Sequence, residues 1–530
     1  MGKAEIECYD RLIDYVNEAY LWADTDPILQ YAVTEQINGI IIEIKASKLL
    51  SLEEQFKVLL QRMEEEIVKY LFTYNETEIA VALLFLKAQL RTQISLSGTV
   101  QKDYELVNRH SEILQLIKIL LKNNKKTWKG KSILKGSKNL ATSFRYAYYL
   151  NVIMDNIEMC HAINRDSKLQ IDLFHMLREG CFYTDEYNDY MDSILKMSEE
   201  VIPEEAEIQS LALRKYLKKK GCYIDTITGE VDQYLYDNLK LTNKYLTGFC
   251  FQGNHNFADP VYCDCDEYIE TIKSYFPNEQ INFDHAVSLF SLNKLCGMEI
   301  TIRDIELRSI YQIDNRIIFY PFDLCWNISC FQKFLLRNQF TEMYFKTLSI
   351  KDIDKLKKQI RKTESKISTY LAYVIAEQMW NNGYCVPQNN GIPLAEIHCI
   401  ITHQGGKSIN LLKSDKDYGD IDVLAADSTK KQIYNIELKY FKPLINLKDL
   451  GDNYKVSDRD KYIKKAQERE NIIRENMSAV LALLEENENM NYTVRTIVVS
   501  PRPDYWLKTC DSVEYMDWVD FLNRIRNKNL

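Results

Sequence analysis

A chain of 530 residues is too long for a single hydrophobic core and predicts several domains. Its 17 Gly and 10 Pro are few for the length, which favours long helices and excludes a turn-rich β architecture. A net charge of −9 excludes a protein that coats nucleic acid through overall positive charge, though a local basic groove stays compatible with it. The 13 cysteines show no framework spacing, and Cys160, Cys325 and Cys385 sit in apolar stretches, so they read as reduced thiols. Met1 to Tyr20 reads as an amphipathic helix carrying acids, without the basic-then-apolar order of an export signal. The longest apolar run, Ile79 to Leu86, is far short of the ~20 residues that span a bilayer. A cytoplasmic protein with no membrane partner is expected.

From Met1 to about Asn123 apolar residues recur at three and four, as in Leu59, Leu60 and Met63, which predicts a run of amphipathic helices. Lys122 to Lys138 is basic and poor in apolar residues and reads as an exposed loop. Helical patterning resumes at Ser143 and reaches about Lys219. Between Gly221 and Asp266, Gly, Asn, Asp and Pro break the pattern around a short strand-like Cys222–Tyr223–Ile224. Arg316 to Tyr320 suits either a strand or a buried helical turn. Lys351 to Lys366 is a highly charged connecting helix and marks a domain boundary. The expected architecture is α+β and multidomain. Residues 1–350 form a large, mainly helical region with a sub-boundary near 221–266, and residues 351–530 form an α/β domain around a mixed β-sheet.

The chemistry gathers after that boundary. Ser368 to Asn382 is a helix whose apolar stripe carries Glu377 at its edge, and a carboxylate aimed at an apolar face needs a partner. Two strands follow, Gly419–Ala425 and Gln432–Tyr440, joined by the polar Asp427–Lys431. Asp420 and Asp422 share one face of the first, and Glu437 and Lys439 share one face of the second. A turn near Thr429–Lys430 sets Asp422 opposite Glu437 and Asp420 opposite Lys439. Clustered carboxylates repel one another and suit a hard cation such as Mg²⁺, which takes one or two carboxylates and keeps its waters. A nearby lysine orients water or an anionic phosphate, and the set matches what phosphodiester hydrolysis requires. Lys455 to Glu485 reads as a long helix with Lys461, Lys464 and Lys465 near its start, candidates for the backbone of a nucleic acid, and with Gln467 as a weaker candidate nearby. Thr493–Ser500 is a further strand and Trp518–Ile525 a closing helix.

The run GlyAspIleAspVal, the fifteen residues from Asp422 to Glu437, and Glu437–Leu438–Lys439 within an apolar strand resemble the core of the PD-(D/E)xK nuclease superfamily. The likeness is strongest to the branch of archaeal Holliday junction resolvases and Mrr-like restriction enzymes. It implies a restriction-endonuclease-like fold and a Mg²⁺-dependent endonuclease, with Mn²⁺ able to substitute. In this sequence Asp422 and Glu437 take the place of the metal ligands, with Asp420 a third, Lys439 that of the catalytic lysine, and Glu377 that of a helical glutamate. The proline of the family name is absent, Ile421 standing in its place, and Asp420 replaces the commoner glutamate. The resemblance implies DNA as substrate in preference to RNA. The alternatives are an RNA-cleaving enzyme and an inactive nuclease fold that serves as a nucleic-acid-binding scaffold. A helical region of this size suggests recognition of a trigger, a protein partner or a second copy, and by analogy antiviral defence against foreign DNA.

Overall fold

The computed structural model describes residues 3–46, 52–96, 100–123, 130–162, 208–250, 259–277, 279–337, 353–398, 400–403, 407–410, 419–439, 459–487, 491–501, 504–508 and 513–530. The chain divides into two compact units. The first takes residues up to Phe182, Asp232–Phe334 and Phe340–Asp352, and the second takes Tyr183–Val231, Leu335–Gln339 and Ile353–Leu530. The second unit therefore draws on residues well before 351, the start of the domain read from sequence. Among the described residues no helix is long and apolar enough to cross a membrane.

The first unit is mainly helical, built on α1 (Lys3–Thr25), α2 (Pro27–Ala46), α3 (Leu52–Leu71), α4 (Glu76–Leu96), α5 (Val100–Asn123) and α6 (Lys138–Ala162). The helical spacing explains the core directly. In α2, Leu29, Val33, Ile37, Ile41 and Ile44 are buried, and in α3, Phe56, Leu59, Met63, Ile67 and Leu71 are. Each such side chain contributes about 1.5–3 kcal/mol by leaving water. A small antiparallel sheet joins this unit in the order β1 (Val261–Asp264), β3 (Arg316–Phe319), β2 (Tyr311–Ile313), so Arg316 to Phe319 is a strand. Cys222–Ile224, by contrast, is no strand. Gly221, at φ +71°, closes the preceding helix, and Ile224 opens the helix Ile224–Leu239.

Inside the first unit α4 carries two cations that no hydrophobic pattern would place there. Lys87, fully buried, donates to Asp323 Oδ2 at 2.7 Å and to the Arg308 carbonyl. Arg91 lies 3.2 Å from Asp323 Oδ1 and donates to Asn327 Oδ1 at 2.9 Å. Burial pulls the Lys87 ammonium down to about 8, against the attraction of Asp323.

The second unit is a layered α/β structure. Helix α7 (Leu211–Lys220) and the long α8 (Ile353–Asn381) precede the strands, and α8 runs unbroken through the charged stretch because no Gly or Pro interrupts it. Gly383, at φ +82°, ends it, with the Tyr384 N–H bonded back to the Met379 carbonyl. Short pairs follow: β4 (Gln388–Asn389) with β5 (Ile392–Pro393), β6 (Ile397–His398) with β9 (Asp420–Ile421), and β7 (Ile400–His403) with β8 (Lys407–Asn410). The main sheet has four strands in the order β10 (Val423–Asp427), β11 (Gln432–Leu438), β12 (Thr493–Ser500), β13 (Glu514–Asp517). The first pair is antiparallel and the other two are parallel, so the sheet is mixed. Helices α9 (Arg459–Glu475) and α10 (Met477–Leu483) lie in the β11–β12 crossover, and α11 (Trp518–Arg526) follows β13. Val423, Ala425, Tyr434, Ile436 and Val499 pack with α8 and α11 on one face, while Leu424, Ala426, Ile433 and Val494 pack with α9 and α10 on the other.

The Lys87–Asp323 pair gives a testable contrast in the first unit. Asp323→Ala is expected to lower stability to urea by about 3–5 kcal/mol, because it leaves Lys87 buried without a counter-charge. The double variant Lys87→Met/Asp323→Leu should recover part of that loss, with Arg91 left to Glu306 at 3.5 Å, and equal losses in the two would refute the assignment.

Candidate active site

The β10–β11 hairpin is closed by Asp427, whose Oδ1 accepts the N–H groups of Thr429 and Lys430 at 2.8 and 3.0 Å. Its register pairs Val423 with Ile436 and Ala425 with Tyr434, the alignment expected from the turn. Continued by one residue, it brings Asp422 to Glu437. The two lie at the carboxyl end of β11, and the Lys439 N–H, just beyond it, bonds the Val499 carbonyl of β12 at 2.9 Å. In open α/β sheets, ligands bind outside the carboxyl ends of parallel strands, and this cluster occupies such an end.

The electrostatics are tightly arranged. Glu437, 1% exposed, is ion-paired through Oε1 to Lys439 and through Oε2 to Arg469. Asp422, 21% exposed, accepts the Leu438 N–H on Oδ2 at 2.7 Å, with Lys439 Nζ 3.9 Å from the same oxygen. Burial, and then the charge of Glu437, push the Asp422 carboxyl up to about 7, against Lys439, the Leu438 N–H and Arg469. Two carboxylates and two cations therefore share one end of the sheet.

The other candidates lie elsewhere in the bonding pattern. The chain bends at Asp422, and the pleat loses its alternation there: Ile421 packs with Leu424 and Ala426, whereas Val423 packs on the opposite face. Asp420 therefore does not share a face with Asp422, and it pairs with His398 where Lys439 was expected. Glu377 is buried on α8, which covers the face opposite Glu437. Its Oε2 accepts the Gln209 N–H at 2.9 Å and its Oε1 the Ser210 N–H at 2.8 Å, at the start of α7. This is the partner that a carboxylate on an apolar stripe requires. Lys464, Lys465 and Gln467 are exposed on α9. Lys461 belongs to the same helix, with its side chain outside the described residues.

Sequence reasoning missed Arg469. It falls on the buried stripe of α9 with Ile463, Ala466 and Ile473, and a lone cation on such a stripe is the signal that would have found it. Asn435 fixes this helix against the sheet, its Nδ2 donating to the Ala466 carbonyl at 3.2 Å and to Thr496 Oγ1 at 3.1 Å. Gly419 takes a φ of +73°. Its backbone is left-handed, and a Cβ there would lie 3.0 Å from Arg469 Nη2.

Among the described residues no three His, Cys, Asp or Glu side chains are grouped as a metal site. The pair Asp422 and Glu437 nonetheless fits a hard divalent ion that takes one or two carboxylates and completes its shell with water and phosphate. Compared with known proteins, the chain matches no family model, no curated protein and no solved structure.

Two outcomes follow from this geometry. The folded Asp422 carboxyl holds its proton more tightly than the unfolded one, so the stability it contributes is present below about pH 4 and lost as pH rises through about 7. Asp422→Asn should therefore stabilise the protein in EDTA at pH 8 by on the order of 2 kcal/mol after allowance for partial exposure, seen as a higher melting temperature, and the gain should fade toward pH 4. Glu377→Gln should cost about 1–3 kcal/mol, since an amide cannot accept both N–H groups equally well. If Glu377 served chemistry instead, folded Glu377→Gln would lose activity without losing stability.

Proposed function

We propose that the C-terminal unit is a divalent-metal-dependent nuclease of the restriction-endonuclease-like kind, acting on DNA. The observation that carries the reading is the meeting of Asp422, Glu437 and Lys439 at the carboxyl end of β11. Support also comes from the element order, in which a helix leads into an antiparallel hairpin, then a helical crossover and a parallel strand.

Asp422 and Glu437 would hold Mg²⁺ or Mn²⁺. When bound, the ion supplies Lewis acidity at the scissile phosphate and lowers the pKa of water. Lys439, placed between the two carboxylates and partly open to solvent, is positioned to orient an attacking water or to bind a phosphate oxygen. The hydrogen bond from the Leu438 N–H holds Asp422 in its orientation. Lys464 and Lys465, exposed on α9, offer charge to a phosphate backbone without reading sequence. The helical unit is assigned recognition or control, on its size alone.

One observation favours a second reading. Both oxygens of Glu437 are already occupied by cations, as they would be in a nuclease fold that only binds nucleic acid. A cleavage assay decides. Plasmid, single-stranded DNA and RNA are incubated with Mg²⁺, Mn²⁺ or EDTA, using wild type, Asp422→Ala and Lys439→Ala. The expected outcome is metal-dependent DNA cutting that each substitution lowers by about 100-fold or more. Preferential cutting of RNA would replace the substrate, binding without cutting would favour the scaffold, and cutting that survives both substitutions would remove the site.

A further inference from the structure

We infer that Arg469 is a built-in competitor for the divalent ion, seated on Glu437 in the metal-free protein and displaced when the ion loads. The inference rests on the reading of Asp422 and Glu437 as metal ligands. Glu437 is almost fully buried, so its carboxylate has no solvent to turn toward, and each of its oxygens is already taken. With both carboxylates ionised, the four groups sum to zero. A dication added with all of them in place would leave two excess positive charges where the dielectric is low and repulsion between cations is strong. One cation has to leave.

Arg469 is the one that can leave with least disturbance to the site. Lys439 sits two residues from Glu437 on the same stretch of chain and also approaches Asp422 at 3.9 Å, so it stays beside both carboxylates. Arg469 reaches Glu437 from a separate element, α9. Its seat is nonetheless prepared. Asn435 ties α9 to the sheet one helical turn before it, and Gly419 keeps open the space beside Nη2 that any side chain would crowd. The planar guanidinium then holds Glu437 in a fixed orientation until a stronger charge replaces it. Metal affinity is in consequence lower than the two carboxylates alone would give, and the site stays closed until the ion outcompetes the arginine.

The test measures Mn²⁺ binding to the full chain by calorimetry and electron paramagnetic resonance, for wild type, Arg469→Gln, Arg469→Lys and Asp422→Ala. Circular dichroism in EDTA establishes which variants fold. The expected result is that Arg469→Gln binds Mn²⁺ about tenfold more tightly than wild type, and that Mn²⁺ raises its melting temperature further. Arg469→Lys should fall between the two, and it decides the matter if Arg469→Gln does not fold. A purely structural arginine would give lower or unchanged Mn²⁺ affinity in the folded variants, which overturns the competitor. If that happens while Asp422→Ala still abolishes binding, the metal site itself stands. If no protein binds Mn²⁺ in an Asp422-dependent way, both readings fall.

Discussion

The C-terminal unit depends on keeping Glu437, paired with two cations, at the buried end of β11. A carboxylate withdrawn from water is costly unless charge and hydrogen bonds replace its hydration. Here the replacement comes from two directions: Lys439 along the same stretch of chain, and Arg469 from the crossover helix. Neighbouring features serve that arrangement. Asn435 docks the helix that brings Arg469, Gly419 leaves room for its guanidinium, and the hairpin register delivers Asp422 to the same end. Much of the local structure is a scaffold for one charge.

That scaffold explains which parts were legible beforehand. The hairpin was, because a polar turn between two apolar strands fixes a register, and the register fixes which side chains meet. The three- and four-residue spacing of apolar residues likewise placed the long helices, though the crossover read as one helix is two, Arg459–Glu475 and Met477–Leu483. Asp420 does not lie where an uninterrupted pleat would put it, because a single bend at Asp422 exchanges the faces of everything before it. Nothing in the local composition announces such a bend. Glu377 was read as needing a partner, which is correct physics, but the partner is the backbone of residues 209 and 210, more than 160 positions away in the chain. A contact of that separation cannot be read from periodicity. Arg469 was overlooked for a simpler reason, since a helix with many charges hides the one that faces inward.

The chain contains a useful internal comparison. The helical unit also buries a cluster of charges, in which Lys87 and Arg91 face Asp323. Burial of ionised groups is therefore not itself the mark of a functional site, for structural ion pairs shift pKa values as effectively as catalytic ones do. What separates the two clusters is access. Lys87 and Asp323 are 0% and 2% exposed, so no ligand can reach them without unfolding the helices around them. Asp422 and Lys439 keep about a fifth of their surface in solvent, while Glu437 behind them keeps almost none. The first two are open to a solute from solvent, and the third lies behind them. The repulsion between Asp422 and Glu437 is a local conflict within an otherwise consistent fold, and it lies where solvent reaches it.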